Sequence, residues 1–417
     1  MAPPPLPPEA LREAVALVEK HGSILSASQA TGMAYTTLRD RYNRGLALAS
    51  AIGSEAPPAD PDDLTALRSE IKLLQAELKA AEKERLTARV VRKLFLGLAE
   101  EAANPPAWII ERDAIQPGSP GVPSVNWSDW HWGEKVFPEQ IAGVNNRFDL
   151  RVAHERARTI LERTLDLCFN HVRNPSYPGI VVNLGGDMLT GDIHKELLES
   201  NDAPTIPALL DLFGVLITML TKLADEFGRV LVCCVIGNHD RNTQKFQFKN
   251  ATYTSLSWAL YCLLERHFQH DQRLVFLIPD GFDCYYEVQG KRYLLQHGDR
   301  MGVRGGDGHV GVIGPIVRGT QKLRKQYAAI GRPVDMVILG HWHTFLNLPG
   351  VRVNGSLKGY DEFAMGNRFD PEPAAQMLWF THPRWGIGEP IRVFADEPEI
   401  ASDTPWSSWP AEYKRTA

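Results

Sequence analysis

Five short stretches carry the side chains best suited to chemistry: Asp129-Trp130-His131, Gly185-Gly186-Asp187, Gly237-Asn238-His239-Asp240, His297-Gly298-Asp299 and Gly340-His341-Trp342-His343. In the first and the last, two potential ligands stand at i and i+2. On a strand or its extended exit both point to one side and can share a cation. Carboxylate oxygen, amide oxygen and imidazole nitrogen are offered, and no thiolate. That set suits Mn²⁺, Fe or Zn²⁺ better than Ca²⁺, and imidazole disfavours a pure Mg²⁺ site. A lone strand-end histidine is more often a satisfied structural residue. Four fixed letters such as GNHD, however, arise by chance in only about one chain in four hundred at this length. Together with the four other motifs, they point to a metal centre.

The elements that must position these residues can be read from the texture around them. PSVNWSD, GIVVNLGGD, RVLVCCVIGNHD, YLLQHGD and VDMVILGHWH are short apolar runs ending in Asp, Asn or His beside glycine. Helical stretches at 150–170 and 207–227 separate them. Such alternation predicts a layered α/β domain over 108–395, with the polar residues at strand ends where the backbone turns sharply.

The ordered set DxH, GGD, GNHD, HGD and GHxH resembles the calcineurin-like metallophosphoesterase superfamily over about residues 124–360. The resemblance implies a β-sandwich flanked by helices and holding two divalent ions, manganese being favoured over iron or zinc. Asp129, His131 and His343 would bind one ion, Asn238, His297 and His341 the other, and Asp187 would bridge both. Two such ions outweigh the two aspartates and attract an anionic phosphoester, and water bridging them would lose its proton near neutral pH and attack phosphorus in line. His239, beside Asn238, becomes the candidate to protonate the leaving oxygen or orient the phosphate. Some family members orient that histidine with an aspartate three residues after the bridging one. Here that position is Thr190, which leaves Asp192 as a displaced candidate.

GGDMLTGD and GNHD depart from the GDxxDRG and GNHE of Ser/Thr protein phosphatases. They look more like the branch containing repair nucleases and phage- or prophage-encoded relatives. The expected reaction is therefore hydrolysis of DNA phosphodiester bonds, as an endo- or exonuclease. A small-molecule or nucleotide phosphoesterase is the nearest alternative, and a non-enzymatic DNA-binding assembly protein with structural metals is the other.

Residues 1–50 read as helix, short helix, glycine turn, helix, with Leu38, Tyr42 and Leu46 on one stripe, the grammar of a helix-turn-helix domain. Its last helix carries Thr36, Thr37, Arg39, Arg41 and Arg44, donors able to reach phosphates and base edges. The alternative is a protein-docking module. A Pro-rich linker at 51–62 leads to a short heptad seam at 63–103 (Leu64, Leu67, Ile71, Leu74, Leu78, then out of phase Leu86 to Leu98), suited to a homodimer through 63–98 or to one helix packed on its own domain. Arg300 and Arg304, with the basic residues that follow to Lys325, are candidates to clamp a phosphate backbone. Trp130, Trp132 and Trp342 flank ligands and are candidates to stack bases or pack beneath the site. His194, Asp307 and His309 are weaker neighbours. The tail 396–417 carries no signal.

Composition sets the outer bounds. Among 417 residues, 45 Lys+Arg against 50 Asp+Glu give a formal charge of −5, which excludes a globally basic coat and makes any DNA surface local. Hydrophobic residues at 44% and charged residues at 23% fit a folded chain. In the most hydrophobic region the longest charge-free apolar stretch, Leu212 to Thr221, falls short of the roughly 20 residues of a membrane helix, so no transmembrane span is expected. MAPPPLPPEA lacks the features of a secretion signal, and five cysteines without CxxC indicate buried thiols; both favour the cytoplasm, that of a bacterial host if the chain is phage-encoded.

Overall fold

The computed structural model describes residues 8–52, 92, 96–98, 104–111, 118–193, 200–243, 245–301, 313–366 and 368–396. The chain divides into two units, 1–85 and 86–417. The linker, nearly all of the heptad seam, Arg304, His194, Asp307, His309 and the tail after 396 lie outside the described residues.

The described residues of the first unit form three helices: α1 (Pro8–His21), α2 (Ile24–Thr31) and α3 (Tyr35–Ile52). Ser23 Oγ accepts from the Ser26 amide to start α2, and Gly32, at φ 69°, ends it. Ala14, Val18, Ala27 and Leu38 form the core, with Tyr42 packed against it. The expected stripe does not run on to Leu46, which is 42% exposed. The cause is Gly45: a Cβ there would lie 2.6 Å from Val15 Cγ2, so α1 and α3 meet at the bare backbone one position earlier. Thr36, Thr37, Arg39 and Arg44 are exposed and Arg41 is half-buried.

The second unit runs through α4 (Ala107–Ile110), β1 (Val122–Trp127), α5 (Leu150–Phe169), β2 (Ile180–Leu184), α6 (Thr205–Phe227), β3 (Val230–Cys234), α7 (Leu256–His267) and β4 (Leu274–Leu277). It continues through β5 (Asp283–Val288), β6 (Lys291–Gln296), α8 (Ile313–Ala329), β7 (Met336–Leu339), β8 (Leu346–Leu348) and β9 (Val351–Val353). It ends with α9 (Glu362–Gly366), β10 (Ala375–His382), β11 (Gly386–Ile387) and β12 (Ile391–Phe394).

Two mixed sheets result, one ordered β11-β10-β1-β2-β3-β4 with β12 also on β10, the other β5-β6-β7-β9-β8. Strands β1 to β4 are mutually parallel, as are β6, β7 and β9. Strand periodicity assigns the layers. Val181, Leu231 and Cys233 of the first sheet and Tyr293, Leu295 and Ile338 of the second share one core. Ile180, Val182, Val232 and Cys234 face a helical core with α5, α6 and α7, while Leu294, Val337 and Leu339 pack with Ile316 and Leu323 of α8. The unit is thus helix, sheet, sheet, helix, and its strands are apolar on both faces because both faces are covered.

Helix α6 corrects the hydropathy reading: its 23 residues are long and apolar enough by composition to cross a membrane. Ala208, Leu212, Leu216, Leu220 and Leu223 instead form a stripe at spacing three to four in the core beneath the first sheet. All five cysteines are buried and free.

Candidate metal centre

Strands β1, β2, β3, β6 and β7 bring their C-terminal ends to one region. Asp129 and His131 follow β1, Asp187 follows β2, Asn238 and His239 follow β3, His297 follows β6, and His341 and His343 follow β7. Backbone hydrogen bonds knit these exits: Asp129 N to Gly186 O at 3.1 Å, His131 N to Asp187 O at 3.1 Å and Gly340 N to His297 O at 2.8 Å.

Two donor triads result. Asp129, His131 and His343 offer ligand atoms within 4.8 Å of one another, and so do Asp187, His297 and His341. In the first, His131 Nε2 and His343 Nε2 face each other at 3.1 Å and Asp129 Oδ1 lies 3.5 Å from His343 Nε2. In the second, Asp187 Oδ2 lies 2.9 Å from His297 Nε2, and Asn238 Oδ1 lies 3.1 Å from that same nitrogen. The rings of His239 and His131 meet edge to face at 4.8 Å. Asn238 and His239 thus stand beside the six triad residues at these strand ends.

The backbone shows what this gathering costs. Of nine non-glycine residues with positive φ among the described residues, five are Asp129, His131, Asp187, His341 and His343. Left-handed conformation costs a β-substituted residue about 1 kcal/mol or more, so its concentration in candidate ligands marks geometry held for function.

The donor set fits divalent cations. Asp187 Oδ2 is buried against His297 Nε2 at 2.9 Å, an oxygen and a nitrogen converging as ligands of one ion would. Burial would raise the Asp129 carboxyl, but its hydrogen bond to His343 and the nearby imidazoles hold it below the ordinary range. The same contest leaves Asp187 well below it, through His297 and His239. Burial lowers His131, pushes His341 down to about 4 and His239 to about 3. Ionised carboxylates and neutral imidazoles are the forms that ligate. His297 is the exception: Asp187 and Asp129 overcome burial and raise it well above the usual histidine value. A proton there compensates the aspartates as a cation would.

Supporting groups that the sequence did not reveal hold the donors. Ser128 Oγ donates to Asp129 Oδ2 at 2.5 Å and is itself met by Asn354 Nδ2 at 3.0 Å. His131 Nδ1 lies 3.3 Å from Glu134 Oε2, and Glu134 Oε1 accepts from Lys358 Nζ at 2.8 Å. Lys358 also pairs with Asp361 at 2.5 Å, and all three are buried. This chain of contacts turns Nε2 of His131 toward the site. Burial pushes the Asp240 carboxyl up to about 6; it accepts from Ser255 Oγ at 3.0 Å and fastens the turn after His239 to α7.

Several expectations need correction. Thr190 donates to His131 O and Glu134 Oε2 at 2.9 and 3.2 Å, while Asp192 is exposed and engages Thr205 Oγ1, tying its loop to α6. Arg300 lies 3.3 Å from Asp299 and sits over the rings of Phe282 and Phe246, so it is built into the wall beside the site. Trp130 and Trp132 are fully buried, which leaves them the packing part of the two read for them, and Trp342 is half-buried against the core of the second sheet.

Gly237 shows how tight the arrangement is. A Cβ at that position would overlap Asp187 Oδ1 and the Asp187 amide. Gly237→Ala is expected to weaken Mn²⁺ binding about 10- to 100-fold, the range for residues that hold ligands in place, as measured by calorimetric titration. Unchanged affinity would mean that Asp187 need not sit where it does.

No family model matches the sequence, and no curated protein matches it. Among solved structures, it is similar to a 5′-nucleotidase precursor from Thermus thermophilus (10% identity, TM-score 0.27, 65% of this chain and 53% of that one). It is also similar to a protein described as a 5′-nucleotidase from Staphylococcus aureus in complex with alpha-ketoglutarate (11% identity, TM-score 0.29, 66% of this chain and 55% of that one). The chain spans about half the length of each, and likenesses this distant carry no functional inference.

Proposed function

We propose that this chain is a dimetal phosphodiesterase of the calcineurin-like metallophosphoesterase type, with DNA as its substrate. The observation that carries the proposal is the pair of nitrogen and oxygen triads at converging strand ends, with five of the ligand residues in left-handed backbone. Two divalent ions, manganese by preference and iron or zinc as alternatives, would supply Lewis-acid charge and a water acidic enough to attack phosphorus. Asp129, His131 and His343 would hold one, Asn238, His297 and His341 the other, and Asp187 would face both. His239 stands beside both groups, placed to hydrogen-bond a phosphoryl oxygen or give the leaving oxygen a proton.

DNA is favoured by the helical first unit, whose α3 presents Thr36, Thr37, Arg39 and Arg44 to solvent. A helix-turn-helix reading of that unit, with Arg41 beside those donors, would orient the substrate, and a homodimer through 63–98 would suit a two-fold site. A cytoplasmic setting agrees with both. One observation favours the second reading, a nucleotide or other small phosphoester: Arg300 pairs with Asp299 instead of standing free for a long phosphate backbone.

Metal removal separates the possibilities. The purified chain should hydrolyse bis-p-nitrophenyl phosphate and cut DNA with Mn²⁺, bind two ions, and lose both activities in EDTA. Diester turnover with every DNA form intact would favour the small substrate. Fewer than two ions and no turnover, together with tight DNA binding, would favour a non-enzymatic assembly protein.

A further inference from the structure

Trp130 and Trp132 are buried and Trp342 is half-buried, yet exposed aromatic rings stand on the loop that follows Asn238 and His239. Phe248 is 76% exposed and Phe246 is 38% exposed, and their rings meet edge to face at 5.0 Å. The guanidinium of Arg300 covers Phe246 at 4.0 Å and lies 3.4 Å from the centroid of Phe282, which fixes Phe246 from behind. Both parts of this platform spring from the second donor group. Arg300 follows His297 by three residues, and the loop bearing the phenylalanines begins at Arg241, whose guanidinium donates to the Asn238 carbonyl and to Thr243 O at 3.0 Å.

The run Arg241 to Lys249 holds three cations, with Lys245 and Lys249 flanking the rings, and no acid. A single exposed ring is ordinary, but two rings in contact, set among cations, form a patch of the kind that marks a binding surface. Exposed rings set among cations match a particular ligand, a flat π-face attached to a phosphate. Aromatic rings in a basic surface bind single-stranded nucleic acid through stacking that tolerates any base.

We propose that Phe248, backed by Phe246 and Arg300, is a stacking platform for a nucleobase of the substrate, with Lys245 and Lys249 attracting the adjoining phosphate. The substrate class is then a nucleotide unit with an unpaired base. As a substrate subsite this rests on the phosphodiesterase reading, but base binding can be measured apart from it.

The test compares a twelve-residue oligo-dT with an abasic twelve-mer of equal charge, by fluorescence anisotropy of the full chain in EDTA. The parent protein should prefer oligo-dT. Phe248→Ala should weaken oligo-dT binding about tenfold and leave the abasic strand unaffected. Phe248→Tyr should restore the preference, and Trp385→Ala, at a ring 74% exposed on the β10–β11 hairpin, should not alter it. Because Phe248 is exposed, its replacement leaves the core intact. No preference in the parent protein, or a preference that survives Phe248→Ala, overturns the proposal. Absence of Mn²⁺-dependent turnover of bis-p-nitrophenyl phosphate would overturn the phosphodiesterase reading alone, since the base preference is measured without metal.

Discussion

Asp187→Ala should reduce Mn²⁺-dependent turnover of bis-p-nitrophenyl phosphate by roughly a thousandfold or more. Asp187 offers one oxygen to His297 at 2.9 Å, while its other oxygen accepts from the His239 amide at 2.7 Å. Its carboxylate thus faces the second donor group and fixes the turn carrying His239. A metal clamp contributes several kcal/mol of charge stabilisation, and each 1.4 kcal/mol corresponds to about tenfold in rate. Loss of the residue proposed to face both ions removes much of that contribution. Calorimetry on the variant should find fewer than two Mn²⁺ per chain. Activity within about tenfold of the parent, with two ions still bound, would remove Asp187 from the centre of the mechanism.

The site was legible because strand periodicity and ligand chemistry meet at the same residues. Runs such as IVVNL and VLVCC are apolar at nearly every position, as strands covered on both faces must be, and each leads into a polar residue at a glycine turn. Parallel strands place such ends on one side, so donors scattered from Asp129 to His343 become neighbours. What supports the donors was hidden, because it depends on distance in space. Lys358 meets Glu134 from 224 positions away, and nothing in the local sequence of either residue announces the pair. Glu134 alone was within reach of spacing, three residues beyond His131. The burial of Trp130 and Trp132 has a related reason. Tryptophans next to ligands are next to strand ends, where the core is, whereas Phe246 and Phe248 lie in a loop whose only mark is its cations. Leu46 was misplaced because the stripe was counted without Gly45, whose lack of a side chain lets α1 approach.

Lys358→Met should destabilise the full chain by about 3–5 kcal/mol at pH 8, the loss typical when one member of a buried ion pair is removed and its partners stay charged. In the parent protein burial would lower the Lys358 ammonium, but Asp361 and Glu134 hold it above the ordinary lysine value. Burial would likewise raise Glu134 and Asp361, and Lys358 brings both below the ordinary carboxylate range. Carboxylates depressed in the folded state contribute stability that is present above their unfolded values, about pH 4, and lost as pH falls through the folded ones. Without Lys358 the sign reverses. Burial then dominates, the folded carboxylates rise above about pH 4, and the penalty is full above those raised values and relieved as pH falls through them. The stability gap between parent and variant should therefore narrow from pH 8 to pH 5, as read from denaturant midpoints. A gap that widens with acid, or none at pH 8, would show that the three charges are not mutually compensated. Because Glu134 also meets His131 Nδ1, the variant should bind Mn²⁺ about 10- to 100-fold more weakly while still folded at pH 6, the loss expected when the group that orients a ligating imidazole is disturbed.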